Sequence, residues 1–286
     1  MRHPNIIVII SIVFVMTMTS QVAPARQVIP GALLNLDAST QNNRDKAWKN
    51  VGLAGKEIPA DGKTPDLKNG KIRIPALGID EEMKWYTAGS GQHFLGPAGT
   101  TPKLKLKDWT LEYLVRRNGP KFEGNVVAAE FGGFQAGERD LQRFRISMAG
   151  PDTGELIVWM KGKNNEKGTW FAGEDLGVDL GKKEWHWLAF VFTSGETLVS
   201  YQDGKMVGTA ETDQAFDNTE SMRVSIFSSG DQNRNYNGSF AIVRIYDRPF
   251  TESEINQNAI GILPVEPADS IATTWGQVKT SYSPHR

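Results

Sequence analysis

Trp185-His186-Trp187-Leu188-Ala189-Phe190-Val191-Phe192-Thr193 is the stretch on which the fold turns. In an extended chain successive side chains point to opposite sides. Trp185, Trp187, Ala189 and Val191 therefore share one face, and His186, Leu188, Phe190 and Phe192 the other. A strand that is apolar on both faces is covered on both, which places it inside a layered sheet structure. Downstream, Thr197-Leu198-Val199-Ser200-Tyr201 and Lys205-Met206-Val207-Gly208 flank Asp203-Gly204, a pair that accepts the positive φ angles of primed hairpin turns. An antiparallel hairpin is the expectation. Phe240-Ala241-Ile242-Val243-Arg244-Ile245-Tyr246 is again β-branched and aromatic. Thr251-Glu252-Ser253-Glu254 then has the spacing of a capping box, which predicts a short helix to about residue 258.

Working outward, strand candidates fall at residues 31–38, 71–74, 84–87, 92–95, 109–116, 125–131, 143–148 and 155–161, separated by Gly, Pro or Asn clusters. That spacing predicts an antiparallel all-β domain. Residues 37–48, with Ser39, Thr40, Asn42, Asn43 and Asp45, read as a polar loop, and residues 54–70, rich in Gly, Pro, Lys and Asp, as a second irregular excursion. The helix after Pro249 is the one helix with a mechanism behind it. Pro264 and Pro267 predict an extended segment over residues 263–286, in which Trp275 either docks on the domain or serves another module.

The order and spacing of Trp185-His186, of Tyr201-Gln202-Asp203-Gly204-Lys205, and of Val243-Arg244-Ile245-Tyr246-Asp247-Arg248-Pro249-Phe250 running into Ser253-Glu254-Ile255 carry a resemblance. The chain resembles the laminin-G-like branch of the concanavalin A-like lectin and glucanase superfamily. Leu34-Asn35-Leu36-Asp37-Ala38, Trp48-Lys49-Asn50 and Trp109-Thr110-Leu111-Glu112 look like the first half of similar bacterial domains. The resemblance implies a two-sheet jelly-roll sandwich. Its members bind glycans or proteins, cleave or rearrange polysaccharides, or serve as adhesive modules, so fold alone does not choose function.

Arg2 and His3 precede an apolar run over residues 6–18, and Ala23-Pro24-Ala25 supplies small residues before a cut, so residues 1–25 read as a secretory signal peptide. No later segment approaches the roughly 20 continuous apolar residues of a membrane span. The expected organisation is a signal at 1–25, one sandwich domain at 27–262 and a tail at 263–286. The chain has no cysteine, which excludes disulfides and thiolate metal sites and leaves stability to a large buried core. A net charge of −1 with interspersed signs offers no basic stripe for nucleic acid.

Glucanases of this fold type use carboxylates alternating along one strand, and no Glu-x-Asp-x-x-Glu run exists here. The acidic clusters, Glu81-Glu82, Glu174-Asp175 with Asp179, and Glu252 with Glu254, read as turn or helix-start surface, and Glu130 as a structural acid. Only His93 and His186 remain for the folded body once His3 and His285 are set aside, too few for a triad or a histidine metal cluster. His186 reads as a buried, hydrogen-bonded structural residue. Hard cations want oxygen ligands, and the resemblance implies calcium in several members. Asp231, with side-chain oxygens following at Asn233 and Asn235, is the candidate calcium stretch, and Asp37, Ser39 and Asp45 form a second; a plain connecting loop is the alternative for each. Related domains often carry acids just before the Val243 strand, where this chain has Ala241 and Ile242. Glycan binding asks for an exposed aromatic platform beside polar loops. The candidates are Trp85 and Tyr86, Trp170, and Asn233, Asn235 and Tyr236, with completion of the core as the alternative for each aromatic. The reading is an exported, non-catalytic recognition or adhesion module for carbohydrate or an extracellular partner. A polysaccharide-active hydrolase or lyase, and a structural part of a surface assembly, stay open.

Overall fold

The computed structural model describes residues 28–89, 91–95, 104–118, 126–132, 142–148, 156–163, 167–171, 173–181, 183–217, 222–228 and 236–261. The first half of the chain forms β1 (Leu34–Asp37), β2 (Ala47–Trp48), β3 (Ile58–Gly62), β4 (Asp66–Ile74), β5 (Ile79–Ala88), β6 (Gln92–Leu95), β7 (Trp109–Arg117) and β8 (Val126–Gly132). The second half adds β9 (Arg143–Met148), β10 (Leu156–Lys161), β11 (Thr169–Phe171), a one-turn helix α1 (Gly173–Leu176), β12 (Trp185–Thr193), β13 (Thr197–Gln202), β14 (Lys205–Glu211), β15 (Arg223–Ile226), β16 (Gly238–Tyr246) and α2 (Glu252–Ile260). They make two antiparallel sheets packed as a sandwich. The first runs β14-β13-β12-β7-β16-β5-β4 with β1 also paired to β16, and the second runs β11-β10-β9-β8-β15-β6-β3-β2. All described residues lie in one compact unit bounded by residues 26 and 266.

The β12–β13–β14 region follows the sequence closely. Leu188, Phe190 and Phe192 enter the core between the sheets, while Trp185, Trp187, Ala189 and Val191 enter a second apolar layer on the outside of the first sheet. Asp203 and Gly204 both have positive φ, +51° and +79°, the signature of a primed turn whose twist matches the flanking strands. The aspartate also ties that turn to the neighbouring strand: its Oδ1 accepts the Trp187 N–H at 2.9 Å and its Oδ2 lies 2.8 Å from His186 Nδ1. This is the physical content of the Trp-His and Asp-Gly signature. At α2 the Thr251 Oγ1 accepts the Glu254 N–H, and the Glu254 carboxylate accepts the Thr251 N–H at 2.9 Å, completing the capping box. Arg248 Nη2 donates to the same carboxylate at 2.6 Å; this bond, with the Thr251 amide, holds the Glu254 carboxyl down at about 2.

Residues 54–70 are a correction. They contain β3 and the first half of β4, not an irregular excursion. Their Gly, Lys and Asp content belongs to a sheet margin: β4 is an edge strand, and charge on an edge discourages pairing with another chain. The loop over 37–48 likewise contains a one-turn 3-10 helix capped by Asp37 and the two-residue strand β2. Glu81 and Glu82 sit on β5, a strand rather than a loop. The short strands β11 and β15 and the helix α1 carry no signal in the sequence reading.

Between the sheets the core is aromatic. Trp109 of β7 stacks on Phe144 of β9 with centroids 4.2 Å apart, Phe192 lies 5.2 Å from Trp109, and Phe131 lies 4.7 Å from Phe144, so one ring stack bridges both sheets. The outer layer of the first sheet is built differently. The β4–β5 hairpin reaches over to β12, contributing Ile72, Ile74, Ile79 and Met83, and α2 contributes Ile255 and Ala259. Beneath them lies a buried polar knot: Asn258 Nδ2 donates to both Glu112 carboxylate oxygens at 3.0 and 3.1 Å, Asn258 Oδ1 accepts the Ile29 N–H at 2.7 Å, and Tyr246 Oη donates to Ile29 O at 3.2 Å. It joins α2, β7, β16 and the entering chain. Full burial raises the Glu112 carboxyl to about 7, while Arg244, its register partner on β16, and Asn258 pull it back.

Candidate functional site

With the outside of the first sheet covered by its own chain, the outside of the second sheet is the broad face left to examine. Its side chains come from the residues that alternate with core positions. On β9, Phe144 and Ile146 point inward, which turns Arg143, Arg145 and Ser147 outward; on β10, Val158 and Met160 point inward, which turns Trp159 and Lys161 outward. Strand register sets these into a row. Trp170 of β11 lies opposite Trp159, Trp159 opposite Arg145, Arg145 opposite Glu130, Glu130 opposite Ser225, and Ser225 opposite Leu95. The row crosses six strands.

At one end the row is aromatic and cationic. The Trp159 and Trp170 ring centroids are 6.1 Å apart, and the guanidinium carbons of Arg143 and Arg145 sit 4.7 and 5.6 Å from the Trp159 ring, within cation–π range. Trp159 is thus held from two sides, while Trp170, on the edge strand, is 48% exposed. Among the described residues Trp170 is the one exposed aromatic side chain; every other Trp, Tyr and Phe is buried. Toward the other end the face is polar and buried. Ser147 and Ser228 are buried with hydroxyls that lack hydrogen-bond partners, and both ring nitrogens of buried His93 lack one as well. Asp61 Oδ2 lies 3.9 Å from His93 Nε2, too far for a hydrogen bond. Burial holds the His93 pKa below its ordinary value, with Asp61 opposing. Buried polar groups without partners are rare and mark places where water or a ligand completes the set.

The residues singled out from sequence separate clearly. Trp170 lies on this face and is exposed. Trp85 and Tyr86 are adjacent on β5 and point to opposite sides, and both sides are covered. Trp85 packs edge-on against Trp185 at 5.5 Å in the outer apolar layer, with Arg116 5.3 Å from its ring, and Tyr86 packs between Trp48 and Phe94 in the core. Neither presents a ring face to solvent. Tyr236 is fully buried against Phe227 and Phe240, its hydroxyl donating to Arg116 O at 3.2 Å, and Gly238 supplies the space its ring occupies. That places its ring inside the sandwich rather than on a binding loop. Asp231, Asn233 and Asn235 lie outside the described residues, as does the calcium stretch they would form. Asp37 and Asp45, the acids of the second oxygen-rich loop, are spent on local structure. Asp37 accepts the Ser39 N–H at 2.8 Å, and Asp45 accepts the Asn42 N–H at 2.9 Å and pairs with Lys49 at 3.2 Å. No group of three acidic or histidine side chains among the described residues is placed to hold a metal ion.

Sequence reasoning missed Trp159, Arg143, Arg145 and Ser147. The signal was present: Arg143-Phe144-Arg145-Ile146-Ser147 and Val158-Trp159-Met160-Lys161 alternate inward and outward residues on neighbouring strands. Two alternating strands in register make one chemically distinct face.

A laminin-G family model, described as the concanavalin A-like lectin/glucanases superfamily, matches residues 89–256, more than half of the chain. No curated protein matches in sequence. Among solved structures, domain 4 of AbnA, a GH43 extracellular arabinanase from Geobacillus stearothermophilus in complex with arabinotriose, is similar with a TM-score of 0.55 and 14% identity over 80% of this chain and 98% of that one. The binding domain of Paraclostridial Mosquitocidal Protein 1 follows with a TM-score of 0.51 and 12% identity, over 80% of this chain and 52% of that one. The ligand-binding domain of botulinum neurotoxin serotype D, in complex with N-acetylneuraminic acid, gives a TM-score of 0.50 and 10% identity, over 81% and 51%. The chain spans about half the length of these two toxin domains and nearly all of the arabinanase domain. At such identities the likeness is one of fold. No helix among the described residues is long and apolar enough to cross a membrane. Sandwich, signature and family match agree, and the chain belongs to the concanavalin A-like lectin/glucanases superfamily.

Proposed function

We propose that this protein is an exported recognition or adhesion module that binds carbohydrate on the outer face of its second sheet without breaking bonds in it. The observation that carries this reading is Trp170, exposed at the sheet edge and in line with Trp159, Arg145 and the buried polar groups beyond. An indole face stacks on the apolar face of a sugar ring, and neighbouring donors and acceptors fix the hydroxyls. The ligand complexes of two similar domains, one with arabinotriose and one with N-acetylneuraminic acid, support a carbohydrate as the ligand class. Export rests on the first 25 residues: cleavage removes about that length, within the usual signal range, and intact-mass analysis of secreted protein that still begins at Met1 contradicts it.

A glycan array probed with the secreted protein and with Trp170→Ala, in calcium and in chelator, tests the reading. A set of saccharide hits lost in the variant is the expected result. Equal binding by both proteins, or no saccharide bound by either, overturns it. Loss of all hits in chelator adds a cation through the Asp231 stretch, and indifference leaves stacking and direct hydrogen bonds to do the binding.

A further inference from the structure

At the β4 edge of the first sheet, away from Trp170, the turn over residues 42–45 stands beside β4 and β5. It encloses a cleft of about 770 Å³ lined by Asn42, Asn43, Arg44, Asp45, Lys68 and Lys84 among others. A second hollow of about 370 Å³ shares Asn42, Asn43, Asp45 and Lys68 with it and reaches down to Asp66 and Tyr86. Tyr86 is 1% exposed, and its hydroxyl has no hydrogen-bond partner. Burial, with Asp45 nearby, raises that phenol to about 12, so it stays a neutral donor and acceptor at the floor of the cleft. A buried hydroxyl left unpaired is destabilising, and a ligand hydroxyl at this position offsets that cost.

The walls are already set. Lys84 Nζ donates to Gln41 O at 2.8 Å, which fixes its ammonium without neutralising it. Asp45 is paired with Lys49 at 3.2 Å and Asp66 with Lys68 at 3.2 Å. Arg44 forms no ion pair among the described residues. The acids of the cleft are therefore matched by lysines, and the unmatched charge, from Arg44 and Lys84, is positive. The exposed amides of Asn42 and Asn43 supply paired donors and acceptors of the kind that read hydroxyl groups.

We propose that this cleft is a second saccharide site, separate from the Trp170 face, and that it takes a sugar bearing a carboxylate. Arg44 and Lys84 meet the carboxylate, Asn42 and Asn43 meet the ring hydroxyls at the rim, and the Tyr86 hydroxyl bonds the most deeply seated hydroxyl. The site does not depend on the Trp170 reading.

The test is titration of the full chain at low salt with trigalacturonic acid, with its neutral methyl ester and with 3′-sialyllactose, repeated on Tyr86→Phe, Arg44→Ala and Trp170→Ala. At least one carboxylated probe binds about tenfold or more tighter than the neutral ester, the size of one charge-assisted contact, and which one it is separates uronates from sialates. Arg44→Ala removes that discrimination. Tyr86→Phe weakens binding about fivefold while leaving the melting midpoint unchanged, because the ring packing against Trp48 and Phe94 is kept. Trp170→Ala leaves this binding intact. Equal affinity for acid and ester, no binding of any probe at millimolar concentration, or sensitivity to Trp170→Ala with none to Tyr86→Phe overturns the cleft, and the last of these does so while leaving the Trp170 face standing.

Discussion

The two outer faces of this sandwich obey the same strand alternation and end in opposite chemistry. Outside the first sheet, β12 offers Trp185, Trp187, Ala189 and Val191, and the chain brings α2 and the β4–β5 hairpin to cover them. Outside the second sheet, β9 and β10 offer Arg143, Arg145, Ser147, Trp159 and Lys161, and Trp170 at its edge stays exposed. A face that the chain covers with its own apolar residues serves stability. A face that keeps arginines, hydroxyls and an open indole is built at a cost to stability, and that cost is intelligible when the face has a ligand.

The largest effects are expected on the covered side. Phe190→Ala in the inner core and Trp187→Ala in the outer layer should each destabilise the domain by roughly 3–5 kcal/mol, as full burial of both side chains implies. Denaturant unfolding that finds Trp187→Ala nearly neutral breaks the comparison, because α2 and the hairpin then close nothing. Next comes pH. The folded state holds the Glu112 proton up to about 7, whereas an unfolded glutamate releases it near 4.5. Between those values the folded state binds more protons, so stability rises as pH falls from about 7 to about 4.5, by roughly 2–3 kcal/mol. Glu254 works in the opposite direction: its carboxyl is held at about 2, so its contribution is lost as pH falls below about 4.5 toward 2. A maximum of stability near the lower end of the first window follows, and Glu112→Gln should abolish the slope above it. An unchanged slope in that variant shows that another group titrates there. The smallest effect belongs to Ser147→Ala on the polar face, which removes a buried hydroxyl with no partner and should leave the unfolding midpoint unchanged or slightly raised. A loss of about 1 kcal/mol or more indicates a bond that stabilises the free protein, and weakens the reading of that hydroxyl as ligand-facing.

What could be read in advance follows from how local each signal is. The β12 strand, the Asp203-Gly204 turn and the α2 cap are specified by residues a few positions apart, and they stand where the sequence placed them. The two outer faces differ in legibility for the same reason. A strand apolar on both sides announces its cover, so the first sheet's outer layer was implicit in Trp185 to Val191. An exposed aromatic announces nothing, because exposure depends on which strand ends up at an edge. Trp170 and Trp85 look alike beside their polar loops, yet β11 ends its sheet, while Trp85 meets Trp185 and Arg116. Tyr236 misleads most, since a tyrosine among asparagines reads as surface until Gly238 is seen to open a place for its ring. The cleft at Tyr86 was out of reach of the sequence, since it joins the 42–45 turn to strands more than 20 residues further on.

The most direct test of the division between an apolar, stabilising face and a polar face with an exposed indole at its edge is made on Trp170 itself. Affinity for the strongest saccharide hit and the melting midpoint are measured together for the wild type and Trp170→Ala. The account predicts that affinity falls about tenfold or more, about 1.4 kcal/mol, while the midpoint stays within the small range expected for a substitution at an exposed site. A large drop in the midpoint with affinity per folded molecule unchanged contradicts it, because Trp170 would then belong to the stabilising side of the comparison.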